Sequence, residues 1–309
     1  MLNTEHTPKV SVIMPTYNRA SFLKEALASV LNQSFQDFEI ILVNNASTDN
    51  TEEVVKEFSN SRIRYYLNNK NIGAVKSHAK ALRFCRGEYI YMFSDDDIME
   101  IDNLKLKVAA LDENPSVCLV HSACITINSL GTEEGEPYNK RHPQWRSAQS
   151  GSILNKSICH SLLMTYGFFL VFPTIMVRAS VLEEHGIEFN NQLKYCIDWD
   201  LCLKLSLFGD FYYIEDKLIR YRQHASNEFK LLNRNTWFME LFIMKLSLYS
   251  QFNINSFETS HIVKIYKATL YQIAWTFNEN LALRPYKDFL KEISTFSKLA
   301  SLVGLGKKK

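Results

Sequence analysis

What this chain lacks narrows its class. Six cysteines, at positions 85, 118, 124, 159, 196 and 202, include no C-x-x-C pair and stand mostly in apolar or helical surroundings. They read as buried thiols of a reducing compartment, not as a disulfide frame or a zinc site. No apolar run reaches the roughly 18 to 20 residues that cross a bilayer. The opening MLNTEHTPK has no apolar core of the signal-peptide kind, so the expected location is cytoplasmic. Neither sign of charge dominates: the net is +2 over 309 residues, which gives no support to a nucleic-acid binder. Two phosphate-binding loops are missing as well. No G-x-G-x-x-G follows the first predicted strand and no G-x-x-x-x-G-K occurs, so neither a dinucleotide site of the Rossmann kind nor a P-loop is indicated.

What remains is an ordinary globular composition, 46% hydrophobic and 22% charged, long enough for a large domain plus a smaller one. Its most informative stretch is Tyr89-Ile90-Tyr91-Met92-Phe93-Ser94-Asp95-Asp96-Asp97. A strand-forming run ends there in three adjacent carboxylates. Unneutralised, they repel one another and are costly to bury. A solvated acidic turn is one reading. The other is the mouth of a sheet where a hard divalent cation, Mg2+ or Mn2+, offsets the charge.

Strands and helices alternate along the first half with short links, the pattern of an α/β fold with a mostly parallel central sheet. Strands are expected at Val10–Met14 (stopped by Pro15), Phe38–Val43, Ile63–Leu67, from Tyr89, and at Val117–Ile127. Helices are expected from about Phe22 to Leu31 with Ser21 as cap, to about Phe58, over Ala74–Cys85 closed by Gly87, and over 98–114. Ligands of such sheets bind at the carboxyl ends of the strands. Polar residues gather there after four strands: Tyr17 to Arg19, Asn44 to Asp49, Asn68 to Asn71 and Asp95 to Asp97. Later, 130–146 reads as a long polar loop, 150–163 as weakly helical, and Phe168–Val177 as a strand broken or at an edge because of Pro173. Phe211–Ile214 reads as a strand followed by Ile219 to His224. Beyond 230, Asn235–Tyr249, His261–Asn278 and Pro285–Leu299 are helix-like and rich in apolar residues.

In this order the sequence resembles a family 2, GT-A fold glycosyltransferase. The resemblance rests on Val10-Ser11-Val12-Ile13-Met14-Pro15-Thr16-Tyr17-Asn18-Arg19, Asn44-Asn45-Ala46-Ser47-Thr48-Asp49, Asn71-Ile72-Gly73, Gly87-Glu88-Tyr89-Ile90, the Asp cluster and Asp198-Trp199-Asp200-Leu201, and it covers about residues 9 to 225. It implies a nucleoside-diphosphate sugar as donor. Pro15, Thr16, Tyr17, Asn18, Arg19 and Asn45 would hold the nucleobase and ribose. Asn45 falls where relatives carry an Asp that accepts a bond from uracil, which an amide oxygen can also do; uracil or thymine is favoured. His78 falls where many relatives carry an Arg, with a solvated helix position as the alternative.

The metal register within Ser94 to Asp97 stays open. The favoured assignment has Asp96 as principal ligand, Asp95 near ribose or sugar, Asp97 shaping the metal site, and His224 as a further ligand or a structural histidine. Arg220 and Arg222 are expected to reach phosphate or to face water. Asp198 corresponds to the family's catalytic base, although the preceding Glu of relatives is Ile197 here; Asp200 reads as a helix-end residue, and Trp199 as core or as a wall of the acceptor site. One base opposite the leaving group implies direct displacement with inversion.

The domain expectation is 1–229 as the transferase, with a nucleotide-sugar half at about 9–127 and an acceptor half at about 128–229. Residues 230–309 form a helical extension that serves core packing, a homo-oligomer contact or a peripheral membrane contact. The acceptor is expected to be a glycan or lipid-linked saccharide in surface-polysaccharide synthesis. A nucleotidyltransferase would want a Gly-rich basic loop after the first strand, and retaining transfer is disfavoured by Asp198. A degenerate fold acting as a glycan-binding scaffold is the non-enzyme alternative, suggested by Asn44, Asn45 and Ile197.

Overall fold

In a computed structural model, residues 6–134, 151–165, 168–225 and 234–251 are described. The chain divides into two compact units, Met1–Leu163 with Gly167–Asn233, and Met164–Tyr166 with Arg234–Lys309.

The first unit is built on one mixed sheet ordered β3-β2-β1-β4-β8-β6-β9-β5, with β7 also paired to β9. The strands are β1 (Val10–Thr16), β2 (Phe38–Asn44), β3 (Ile63–Leu67), β4 (Tyr89–Met92), β5 (Ile98–Met99), β6 (Val117–Ile127), β7 (Ser152–Leu154), β8 (Met176–Arg178) and β9 (Asp210–Arg222). The helices are α1 (Ala20–Leu31), α2 (Thr51–Phe58), α3 (Ala74–Leu82), α4 (Asn103–Glu113), α5 (Lys156–Thr165), α6 (Ala179–Glu184) and α7 (Ile197–Leu205). The long ladders are parallel: β1 with β2 and β4, β2 with β3, and β6 with β9. Short antiparallel pairings of β8 with β4 and β6 join the two parallel sets. Two reversals restore direction, so β9 runs the same way as β1 to β4. The carboxyl ends of β1, β2, β3, β4, β6 and β9 therefore share one edge.

The apolar strands behave as a sheet covered on both faces requires. Every residue of β2 is buried, and Val12, Met14, Leu23, Leu27, Ile40, Leu42, Tyr91 and Phe93 belong to one core. Burying a side chain of this size stabilises by about 1.5–3 kcal/mol relative to leaving it in water.

Several local expectations are corrected. Pro15 does not stop β1, because Thr16 O and Ile13 O accept on opposite sides, from Asn45 N and Phe93 N. By alternation Pro15's nitrogen faces the β4 side, beyond the last pair Ile13↔Met92, where no donor is needed. Helix α1 starts at Ala20, not Phe22, and Ser21 does not cap it. Asp49, from the loop after β2, accepts Ala20 N at 3.0 Å through Oδ2. Its Oδ1 takes Thr51 N at 3.2 Å, so one carboxylate serves the starts of α1 and α2. Gly87 does not close α3, which ends at Leu82. Its role is close approach: a Cβ there would lie 2.5 Å from Ser11 N. The expected helix over 98–114 gives its first residues to β5, which pairs with β9. The 150–163 segment supplies β7 before its helix. Pro173 sits in a 3-10 turn, Phe172–Thr174, ahead of β8. The two pieces expected after residue 210 form one strand, β9.

The second unit contains one described helix, α8 (Arg234–Gln251). Among the described residues no helix is long and apolar enough to cross a membrane. The expected helices His261–Asn278 and Pro285–Leu299, and most of the 130–146 loop, lie outside the described residues.

Candidate active site

The shared edge gathers residues that are far apart in sequence. Asp95, Asp96 and Asp97 leave the end of β4 and are 3%, 7% and 1% exposed. Arg19, just before α1, places Nη1 3.0 Å from Asp95 Oδ1 and 2.9 Å from Asp96 Oδ2. His224, two residues past β9, brings Nε2 to 3.0 Å from that same Asp96 oxygen. Its ring packs on Phe22 of α1, centroids 4.9 Å apart. Arg222 N donates to Asp97 Oδ1 at 2.7 Å.

Burial and the Asp96 charge push the Asp95 carboxyl up to about 6 against the pull of Arg19 and Thr16. The same two causes hold Asp97 well above the usual carboxylate range, opposed by the Arg222 N–H. Three carboxylates in this space are thus underneutralised. Asp95 Oδ2 and Asp97 Oδ2 are buried and meet no hydrogen-bond donor. Among the described residues no group of three or more His, Cys, Asp or Glu side chains is arranged to close around a metal. The hard oxygens suit a partial ligand set completed by phosphate and water, as Mg2+ sites commonly are.

A second layer fixes the loops. Asn18, at φ 51°, accepts Thr48 N through its side-chain oxygen at 2.7 Å and donates its own N–H to Ser47 Oγ at 3.0 Å. The loop after β1 is thereby tied to the loop after β2. Asn44 Oδ1 accepts Ser47 N at 2.8 Å across Ala46, which sits at φ 61°, a region that costs a non-glycine residue about 1–2 kcal/mol. Asn45 Oδ1 accepts Asn68 Nδ2 at 3.0 Å and Ile72 N at 2.9 Å, and its Nδ2 donates to Asn71 at 2.8 Å. Both lone pairs of the oxygen expected to meet a base are therefore engaged inside the protein. Gly73 at φ 86° opens α3, a conformation glycine adopts without strain. Tyr17 is exposed, Thr16 buried and Pro15 half-buried on the same turn.

His78 is not a solvated helix residue: Nδ1 lies 2.9 Å from Ala74 O and the ring sits edge-on to Phe172 and Phe189. Burial lowers its pKa below the ordinary histidine value, against the Ala74 contact. Asp198 stands half-buried in the first turn of α7, with Oδ1 2.7 Å from Trp199 N. Asp200 is fully buried and pairs with Lys204 at 2.6 Å. Burial raises its pKa against that partner. Trp199 is core, its Nε1 donating to Leu163 O at 3.2 Å.

The expectation that Arg222 reaches phosphate or water is corrected; Arg220, with its side chain 38% exposed, does face water in part. Arg220 pairs with Glu100 at 2.7 Å. Arg222 is 1% exposed and donates to Asp96 O at 2.8 Å, Ser129 O at 3.2 Å and Glu25 Oε2 at 2.7 Å. Sequence reasoning named Arg222 but not this supporting role, and it missed Glu25 altogether. The one available signal was helical spacing, which puts Phe22 and Glu25 on one face of α1.

Residues 11–186 match the profile described as Glycosyl transferase family 2. The chain belongs to that family. It is therefore a sugar-transferring enzyme on the GT-A fold. An uncharacterized glycosyltransferase of Haemophilus influenzae is 28% identical over 232 residues, 74% of this chain and 70% of that one. Chondroitin synthase of Escherichia coli is 28% identical over 225 residues, 72% of this chain but only 30% of the synthase. Among solved structures, S. aureus TarS 1–349 in complex with UDP-GlcNAc superposes with a TM-score of 0.68 at 21% identity, covering 91% of this chain and 77% of that one. Mannosyltransferase PcManGT from Pyrobaculum calidifontis, in complex with GDP-Man and Mn2+, gives 0.57 at 16% identity, covering 96% and 81%. At these identities the likeness establishes the fold.

Proposed function

We propose that this family 2 enzyme moves a sugar from a nucleoside-diphosphate sugar, with UDP or dTDP favoured, to an acceptor hydroxyl of a glycan or lipid-linked saccharide in surface-polysaccharide synthesis. Transfer is metal-dependent and inverts the anomeric centre. The observation that carries this reading is the underneutralised cluster Asp95–Asp97 with Arg19 and His224, set at the carboxyl edge of the sheet. The Mn2+ of PcManGT and the nucleotide sugars of both solved relatives support the choice of ligands.

Asp96 and Asp97, with His224, would hold the cation, and Asp95 would face ribose or sugar. Bound there, Mn2+ or Mg2+ offsets the negative charge of the departing nucleoside diphosphate. Pro15 to Arg19 and Asn45 shape the nucleoside side. Asn45, with its oxygen already engaged, acts on the base by fixing the Asn68–Ile72 loop. His78 lines the donor side through its aromatic surroundings. Asp198 accepts the proton of the acceptor hydroxyl as the new glycosidic bond forms on the face opposite the leaving group. The proposed domain roles are donor and acceptor halves within 1–229 and an accessory region, 230–309, that contacts a second copy or a membrane surface.

Calorimetry with UDP, dTDP, GDP and their sugars, with and without Mn2+, on wild type and Asp96→Ala, tests this. Metal-dependent binding of one nucleoside diphosphate, lost in the variant, is expected. Binding indifferent to both metal and substitution would overturn the assignment of the acidic cluster.

A further inference from the structure

We infer that Arg19 is an internal counter-cation that competes with a bare divalent metal for the acidic cluster and moves to the diphosphate when a nucleotide arrives, so that metal and nucleotide bind cooperatively. This rests on the donor-site reading above.

A single nitrogen, Arg19 Nη1, bridges Asp95 Oδ1 and Asp96 Oδ2 at 3.0 and 2.9 Å. Asp96 Oδ2, an oxygen the proposed cation would also take, is thus already held by a guanidinium. The two carboxylates are nearly buried, so solvent and salt screen the competition poorly.

The two guanidinium groups beside the cluster differ in freedom. Arg222 is sealed among backbone carbonyls and matched in charge by Glu25. Its departure would open the end of β9. The Arg19 side chain is 24% exposed. Its backbone follows Asn18, which Thr48 and Ser47 pin to the next loop. The side chain therefore reaches the solvent side of the cluster, from which a ligand would enter, while its anchor stays.

Among the described residues, with Arg222 and Glu25 cancelling, the guanidinium that faces the carboxylates is that of Arg19. A metal entering while Arg19 holds its place meets cation–cation repulsion in a poorly screened site. A diphosphate offers the guanidinium fork a matched set of oxygens and draws it off the carboxylates. Each ligand then improves the site for the other by the same factor, as linkage requires.

The test titrates Mn2+ alone into wild type, Arg19→Gln and Arg19→Lys, following free Mn2+ by electron paramagnetic resonance. UDP and GDP are then titrated by calorimetry with and without Mn2+. Arg19→Gln should bind bare Mn2+ about tenfold more tightly, bind the nucleoside diphosphate more weakly, and lose most of a coupling on the order of 5- to 150-fold. Arg19→Lys, which keeps the charge, should resemble wild type toward bare Mn2+. Unchanged or weaker Mn2+ binding by Arg19→Gln overturns the proposal, as does a Lys variant that behaves like Gln. If neither nucleotide binds wild type under any condition, the donor reading fails instead, and the Mn2+ titrations still decide whether Arg19 competes.

Discussion

Replacing Arg222 by Met removes the group that joins the end of β9 to the Asp loop, the β6 turn and α1. Asp96 O and Ser129 O, accepting at 2.8 and 3.2 Å, lose their donor. The contact to Asn128 O, at 3.4 Å, is too long to count for much. A buried acceptor left without a partner costs about 1–3 kcal/mol; that applies to Asp96 O, whereas Ser129 is exposed and its carbonyl turns to water. Glu25 adds little, because its side chain is 52% exposed and returns to water. The packing on Phe22, with the guanidinium carbon 4.9 Å from the ring centre, is partly kept by a flexible thioether. Urea unfolding of Arg222→Met should thus show a loss of about 1–3 kcal/mol, a sizeable part of the stability of an ordinary domain. Glu25→Gln, the control, should cost under about 1 kcal/mol. Since Arg222 N also holds Asp97, the slackened strand end should weaken Mn2+ binding in Arg222→Met and leave it intact in Glu25→Gln. An Arg222→Met protein as stable as wild type would refute the reasoning. So would a Glu25→Gln protein as unstable as Arg222→Met, because the ion pair would then matter more than the carbonyl bonds.

Two pH predictions concern buried charges away from the site. Glu39 is nearly buried at the amino-terminal side of β2 and accepts from Ser11, Arg64 and Arg86. Burial raises its pKa, but those donors together hold it below the ordinary value of 4.5. Its contribution is therefore complete above about pH 4.5 and is lost as pH falls through the lowered folded value. Glu39→Gln should cost about 2–4 kcal/mol at pH 7 and show a flatter acid limb in urea titrations; an unchanged acid limb would contradict this. Lys107, fully buried and 2.8 Å from Tyr91 Oη, is held well below its ordinary value of 10.5 by burial. Between that lowered folded value and 10.5 the unfolded chain binds more protons here than the folded chain, so across that window this lysine makes stability rise with pH. The difference in stability between Lys107→Met and wild type should shrink steadily from pH 7 to pH 9, and parallel profiles would mean Lys107 is protonated in the fold.

The sheet was legible because its parallel strands are nearly continuous apolar runs, and β3 and β6 fall at their expected bounds. The polar edge was legible for the same reason: parallel strands deliver their carboxyl ends to one side, so four polar loops after four strands must share it. Pairing within that edge was not legible. The alternation Ile219-Arg220-Tyr221-Arg222 looks like a half-exposed strand, and nothing local says that β5 will lie against it and bury Arg222 beside Asp97. Ser21 is a good cap by residue type, yet Asp49 reaches α1 first from another loop. The family resemblance put the Asn45 oxygen against the base, but the neighbouring Asn68 and Ile72 donors use it. In each case a partner brought by a long-range crossover displaced the one suggested by sequence spacing. Residue type and strand order thus set which charges meet at the edge. The donors that come from β9 depend on β8, whose two antiparallel pairings turn the β6–β9 half to face the same way as the β1–β4 half and bring His224 to Asp96 and Arg222 to Asp97.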